Sequence, residues 1–304
     1  MSLSYTILGQ TLTMALYMAV GFGLFRAKKI SLTGSKDIAS MLLWIVIPAV
    51  IIDSFCTPYS AERLRELAVS SLLGCAALII AIVAARFVFP KAPIDHFAAA
   101  FSNAGFIGIP LVRQSLGNEA VFYLVGMITL LNILQWTYGS NVLKGGRVRI
   151  TAKSILFNPI FFGAAVGLLM YFTGWGVSMP TVISGAIQGI AALNAPLAMI
   201  VMGIYLARSD IKSLVATPRL YWVAAMRLIL IPLLTLLVFS FLPLKTEIRL
   251  AVLLAAAAPV GANAAVYSQL YELDYAYACQ TVTLSTILSI ITLPLITMLA
   301  QTFL

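Results

Sequence analysis

The stretch Phe101-Ser102-Asn103-Ala104-Gly105-Phe106-Ile107-Gly108-Ile109-Pro110 lies inside an apolar run, yet it makes a poor continuous helix. Pro110 cannot donate a backbone hydrogen bond, its ring clashes with the carbonyl four residues earlier, and two glycines and an asparagine precede it. A second stretch, Ala258-Pro259-Val260-Gly261-Ala262-Asn263-Ala264-Ala265, holds the same ingredients in another order. Within a membrane, backbone groups freed in this way are tolerated only where packed protein or a water-filled cavity satisfies them. The two stretches therefore read as discontinuous helices that meet near mid-membrane. Their opened backbone offers helix N-termini whose free N–H groups suit anions.

The surrounding composition makes that reading a membrane reading. Of 304 residues 62% are hydrophobic, and only 19 are Lys or Arg and 10 Asp or Glu. A soluble domain averages about 45–50% apolar and about 25% charged residues, so this chain cannot cover a water-facing surface, and a soluble enzyme is excluded. Roughly 20 apolar residues make one crossing. Ten crossings are expected, at 4–25, 37–56, 67–88, 97–116, 119–138, 155–174, 181–206, 219–242, 247–270 and 276–300. They leave no length for an aqueous domain. The first run lacks a basic leader and is read as a membrane helix rather than a signal peptide.

The net charge of +9 is read as topology rather than nucleic-acid binding, because the charges sit in short clusters between apolar runs. Odd-numbered loops hold thirteen basic residues: Arg26, Lys28, Lys29, Lys36, Arg86, Lys91, Lys144, Arg147, Arg149, Lys153, Arg208, Lys212 and Arg219. Even-numbered loops hold five: Arg63, Arg65, Arg113, Lys245 and Arg249. The bias places the odd loops in the cytoplasm and both termini on the extracytoplasmic side.

Four mid-helix prolines suggest a repeat. Pro48 and Pro110 lie 62 residues apart, Pro196 and Pro259 lie 63 apart, and the two pairs are offset by 148 and 149. Five crossings per half, an odd number, require the second half to be inverted. The chain then divides at 147/148 into a first five-helix repeat, 1–147, and an inverted second, 148–304, the plan of many secondary transporters.

Candidate site residues follow from polar groups placed in apolar spans. Asn103, Gly105 and Pro110 come from the fourth span, and Pro259 and Asn263 from the ninth. Asn132 and Gln135, three residues apart and so on one helix face, come from the fifth. Arg227 is the one basic residue inside a span. Burying it costs about 2.5–3.5 kcal/mol on insertion scales, so it needs a partner. It reads either as a counter-ion for a carboxylate or as a donor to the carbonyls of a broken helix. Asp53 and His96 read as solvated residues near the interface, and Asp274 as a cap for the last helix. Cys56, Cys75 and Cys279 have no metal spacing and read as free thiols. No catalytic motif and no cofactor or metal signature is present, so enzymatic chemistry is not expected.

The residues Asn103 to Leu111 (NAGFIGIPL), Ala195-Pro196-Leu197-Ala198 leading to Gly203, Arg227 to Pro232, and the end from Tyr271 to Pro294 with Ser285-Thr286 and Thr292-Leu293-Pro294 resemble the auxin efflux carrier family of bacterial permeases. The resemblance spans both halves. It implies ten helices in two inverted five-helix repeats, distantly related to bile acid:sodium symporters. The first two helices of each half would form a scaffold that carries a homodimer contact, and the last three a mobile core. The substrate would sit where the fourth and ninth helices cross at Pro110 and Pro259. Plant members export auxin, and bacterial members are linked to malate, malonate and related acids. The long cytoplasmic loop of many plant members is missing here.

The expectation is an all-α polytopic protein of a bacterial cytoplasmic (inner) membrane. It would move a small organic anion by elevator-type alternating access, as export or uniport, with substrate, membrane lipid and a second copy through the scaffold helices as partners and no nucleic acid. Two alternatives stay open from the residues: a sodium- or proton-coupled importer, and a non-transporting sensor of the same ligand.

Overall fold

A computed structural model describes residues 3–146, 159–208 and 211–304. The principal helices, in chain order, are α1 (Leu3–Arg26), α2 (Leu32–Phe55), α3 (Ala61–Val88), α4 (Pro93–Ala100), α5 (Ile109–Leu116) and α6 (Asn118–Leu143). They continue with α7 (Pro159–Thr173), α8 (Thr181–Arg208), α9 (Pro218–Ser240), α10 (Thr246–Ala257), α11 (Asn263–Leu270) and α12 (Tyr275–Phe303). Seven of these are long and apolar enough to cross a membrane, namely α1, α2, α3, α6, α8, α9 and α12, and α7 is a shorter apolar helix. Their outer faces carry exposed apolar side chains, such as Leu8, Leu12 and Leu16 on one face of α1. That is the surface expected of helices solvated by lipid rather than water.

Seven of the ten expected spans overlap those seven helices and the sixth overlaps the shorter α7; across the ten there are two kinds of difference. Several helices run past the apolar stretch, because polar residues also form good helices once they emerge into water. α2 begins at Leu32 rather than 37, where the Ser31 hydroxyl caps the helix by accepting the Gly34 N–H at 3.0 Å. α3 begins at Ala61 rather than 67, adding a charged first turn that contains Glu62. The fourth and ninth runs, by contrast, are each broken, into α4 and α5 and into α10 and α11. The first four residues of the expected span 155–174, and the basic residues Arg147, Arg149 and Lys153, lie outside the described residues.

Three of the prolines follow loosened helix turns. A five-residue turn with i to i+5 hydrogen bonding precedes Pro48 (Leu42–Val46), Pro110 (Ala104–Gly108) and Pro232 (Met226–Leu230), each ending two residues before the proline. The wider turn moves aside the carbonyl that the proline ring would strike. At Pro196 the chain instead kinks between Ala192 and Asn194. At Pro259 the helix stops altogether, with Ala258 in an extended conformation.

Helix packing is most extensive between α1 and α8. α2 packs on α7 and α8, α3 packs on α4, α6 and α10, and α12 packs on α9 and α11 and also along α1. The α1–α8 contact is the closest approach. A Cβ on Gly203 would lie 2.0 Å from the Met18 carbonyl oxygen, and one on Gly21 would lie 2.2 Å from that of Ile200. Two glycines thus let two backbones touch, as small residues commonly do between membrane helices. Gly203→Val should cost at least about 1–3 kcal/mol by forcing α1 and α8 apart. Its midpoint of thermal unfolding in detergent should fall clearly below wild type, whereas Gly9→Ala, on α1 with no atom within 4 Å of the added carbon, should leave it unchanged. Equal midpoints for Gly203→Val and wild type would contradict this packing.

Candidate functional site

Two helix interruptions cross at the centre of the bundle. Phe101–Asn103, between α4 and the turn that leads into α5, runs antiparallel to Pro259–Gly261, between α10 and α11, in an isolated bridge joining Ser102 and Val260. Asn103 N–H donates to Pro259 O at 2.7 Å and Gly261 N–H to Phe101 O at 2.9 Å. Val260 N–H turns to the Ser285 hydroxyl of α12 at 3.1 Å. These bonds satisfy backbone groups that the broken helices would otherwise strand in an apolar interior. Gly261 leaves room for this close approach, since a Cβ would lie 3.1 and 3.2 Å from the Ser102 and Phe101 carbonyl oxygens.

Four helix ends therefore converge, and they are not equivalent. α4 and α10 end at the crossing, presenting C-terminal carbonyls and the negative ends of their dipoles. Arg227 of α9, 1% exposed, covers both. Its Nη1 donates to Ala99 O at 3.0 Å and Ala100 O at 3.4 Å, and its Nη2 to Ala256 O. Two half-dipole ends of about −0.5 charge each are matched by one guanidinium. The other two ends, the turn that begins at Ala104 and the start of α11 at Asn263, are the positive ends of their dipoles, although at α11 the Ala264 and Ala265 N–H groups already donate to Gly261 O at 2.9 Å and Ala262 O at 3.1 Å.

A cavity of about 30 Å³ lies against these positive ends. It is lined by Asn103, Gly105, Asn132, Gln135, Gly261 and Asn263, with Leu43 and Ile47 of α2, and it has no charged residue in its wall. Asn263 Nδ2 donates to Gln135 Oε1 at 2.7 Å, Asn132 Nδ2 donates to Ile128 O at 2.8 Å, and the Ser102 hydroxyl is buried without a partner. The space holds about one or two waters. Larger cavities flank it along α2. One of about 410 Å³ touches Val50, Pro110, Arg113 and Asn194. The other, of about 420 Å³, touches Lys36, Trp44, Tyr205 and Gln269, and shares Leu43 with the crossover cavity. Asn194 of α8 closes the first boundary, its Nδ2 donating to Gly105 O at 3.3 Å while its buried Oδ1 has no partner.

Five of the eight residues singled out from sequence thus share one cavity: Asn103, Gly105, Asn132, Gln135 and Asn263. Pro110 lines the neighbouring cavity, Pro259 contributes a carbonyl to the crossing, and Arg227 faces backbone oxygens rather than the cavity. Sequence reasoning missed Ser102, Gly261 and Asn194's place at the boundary. Gly261 was visible beside Pro259, but nothing in the sequence tells which carbonyls approach it.

Two further readings are corrected. Asp53 is not solvated: its side chain is 3% exposed and accepts from Arg113 Nη2 at 2.9 Å and Asn118 Nδ2 at 3.2 Å. His96 is 1% exposed, its Nε2 3.0 Å from the Tyr138 hydroxyl, because α4 starts inside the bundle rather than in a loop. As expected, Asp274 caps α12 by accepting the Tyr277 N–H at 2.9 Å, and the three cysteines are free.

Comparison with known proteins places the chain in a family. Residues 6–297 match the family model described as "Membrane transport protein". A protein of Methanothermobacter thermautotrophicus named "Uncharacterized transporter" is 32% identical over 206 residues, 65% of each chain, so the aligned part falls just short of two thirds of that relative. One of Rhizobium meliloti named "Putative malonate transporter" is 24% identical over 270 residues, 83% of each chain.

Removing the Arg227 charge strands two sets of buried carbonyls. Arg227→Gln is expected to lose about 3–5 kcal/mol, the usual cost of breaking a buried charge partnership. A large fall in thermal midpoint is the expected readout, with Arg227→Lys intermediate. A variant as stable as wild type that has lost only ligand affinity would instead show Arg227 to be a ligand counter-ion.

Proposed function

The chain belongs to the membrane transport protein family, the family of auxin efflux carrier-type transporters, and on that premise we propose that it is a secondary transporter of a small organic anion. Family and apolar helices together make it a multi-pass membrane protein. The observation that carries the anion reading is the asymmetry of the crossing: Arg227 covers the negative helix ends, while the positive ends and neutral amides face the cavity. A carboxylate there would gain N–H donors without displacing a buried cation's partner. The name of the Rhizobium relative supports a short dicarboxylate of the malonate type as the first ligand to try.

In the proposed cycle the ten spans form two inverted repeats. α1, α2, α7 and α8 stay fixed while the other helices shift the crossing between the two flanking cavities. The small central cavity fits a closed position between them. The contacts that such a shift must break include Asn194 to Gly105 O, Asp53 to Arg113 and Asn118, and Arg208 to the Tyr275 hydroxyl. The proposed orientation places the termini outside a bacterial inner membrane. With an interior near −100 mV, moving one negative charge outward gains about 2.3 kcal/mol, which favours export or uniport.

A second reading, proton-coupled import, draws on Asp53. A proton on this buried carboxylate would release Arg113 toward a cavity that an incoming anion enters.

A thermal-shift screen of purified protein tests the ligand class, since binding to the folded state alone raises stability. Malonate, malate or a monocarboxylate should raise the midpoint, neutral malonamide should not, and the Gln135→Ala/Asn263→Ala double variant should lose most of the rise. No shift with any carboxylate would overturn the proposal. For the second reading, uptake into liposomes should depend on an inward proton gradient, and Asp53→Asn should abolish that dependence.

A further inference from the structure

A cavity of about 410 Å³ opens where the end of α3, the start of α4 and the end of α6 meet, away from the helix crossing. Its wall includes Arg86, Lys91 and His96, and no acidic residue lines it among the described residues. Asp95, the nearest carboxylate in sequence, is 1% exposed and turned elsewhere, accepting from Arg219 Nε at 2.5 Å and from the Tyr277 hydroxyl at 2.7 Å. Arg86 spends one donor, Nη1, on Pro90 O at 3.1 Å and has others remaining. Arg86 and Lys91 are both exposed. Lys144, between the wall residues Leu143 and Gly145 just past the end of α6, holds its ammonium over the Tyr271 ring instead.

The second observation is what leads up to this cavity. Ile79, Val83 and Phe87 recur every four residues on α3 and are 55%, 46% and 80% exposed, forming an apolar stripe that ends beside Arg86. A soluble anion has no use for such a stripe. An amphiphile with a negative head and hydrocarbon tails matches both parts, and basic pockets beside membrane helices suit phosphate headgroups.

We propose that this cavity, with the α3 stripe, binds an anionic phospholipid, its phosphate between Arg86 and Lys91 and an acyl chain along Ile79, Val83 and Phe87. The proposed orientation puts the cavity at the cytoplasmic leaflet. The site is separate from the crossing and independent of what passes through it. Because α4 runs from this cavity to the crossing, a bound lipid would brace the half-helix whose C-terminal carbonyls Arg227 holds.

The test uses full-length protein in uncharged detergent, titrated with phosphatidylglycerol, phosphatidylcholine or inorganic phosphate while thermal unfolding is followed. Phosphatidylglycerol should raise the midpoint, and the other two should not. The Arg86→Gln/Lys91→Gln variant should bind it more weakly, by about fivefold for each basic residue removed. Lys28→Gln/Lys29→Gln, which removes the same charge elsewhere, should bind as wild type does. Both pairs are exposed, so all variants are expected to fold, and native mass spectrometry of retained lipid gives the same comparison without unfolding. Equal shifts from phosphatidylcholine, or an Arg86→Gln/Lys91→Gln variant that binds like wild type, would overturn the proposal. A shift from inorganic phosphate alone would overturn the lipid in favour of a free phosphate compound.

Discussion

One guanidinium holds the middle of this protein together. Two helices stop in an apolar interior, and each leaves carbonyls that have no water to turn to and a partial negative charge at its end. Arg227 meets both from a third helix, donating to Ala99, Ala100 and Ala256. A buried arginine is expensive alone and so are two orphaned helix ends, but together they neutralise each other. Without that match the interruptions at Phe101–Asn103 and Pro259–Gly261 could not sit side by side.

The consequence for function lies in what is left over. Once the negative ends are covered, the crossing keeps its two positive ends, and these border the small cavity walled by Asn103, Asn132, Gln135 and Asn263. The wall has amides rather than a fixed cation, and in the proposed reading these would hold an anion through several partial charges and release it again. Tight pairing with a lysine or arginine would make release costly. In the proposed cycle a carboxylate would enter this cavity of about 30 Å³ only when α2 and the crossing part, toward the flanking cavities of about 410 and 420 Å³.

Much of this was legible in the sequence because prolines and glycines in apolar runs have few physical meanings. Pro110 with Gly105 and Gly108, and Pro259 with Gly261, announced the interruptions, and Asn132 and Gln135 shared a face by spacing alone. What spacing does not carry is partnership across helices. Arg227 admitted two readings, and only the position of α4 and α10 shows its donors on carbonyls. Asp53 read as an interfacial carboxylate because Arg113 lies 60 residues away in sequence. His96 read as a loop residue because α4 begins with Pro93, a common helix start that says nothing about depth. The closest packing, Gly21 and Gly203 against backbone, is equally invisible without the pairing of α1 with α8.

The central claim is that the crossing is a net positive site for an anion, balanced by Arg227 and not by a co-transported cation. Charge movement reads this directly. Proteoliposomes adsorbed on a solid-supported membrane should give a transient current when malonate or the best-binding carboxylate is presented, with the sign of negative charge entering the vesicles and with no requirement for sodium. Radiolabelled uptake of the same ligand without current, or current of the opposite sign, would contradict the account.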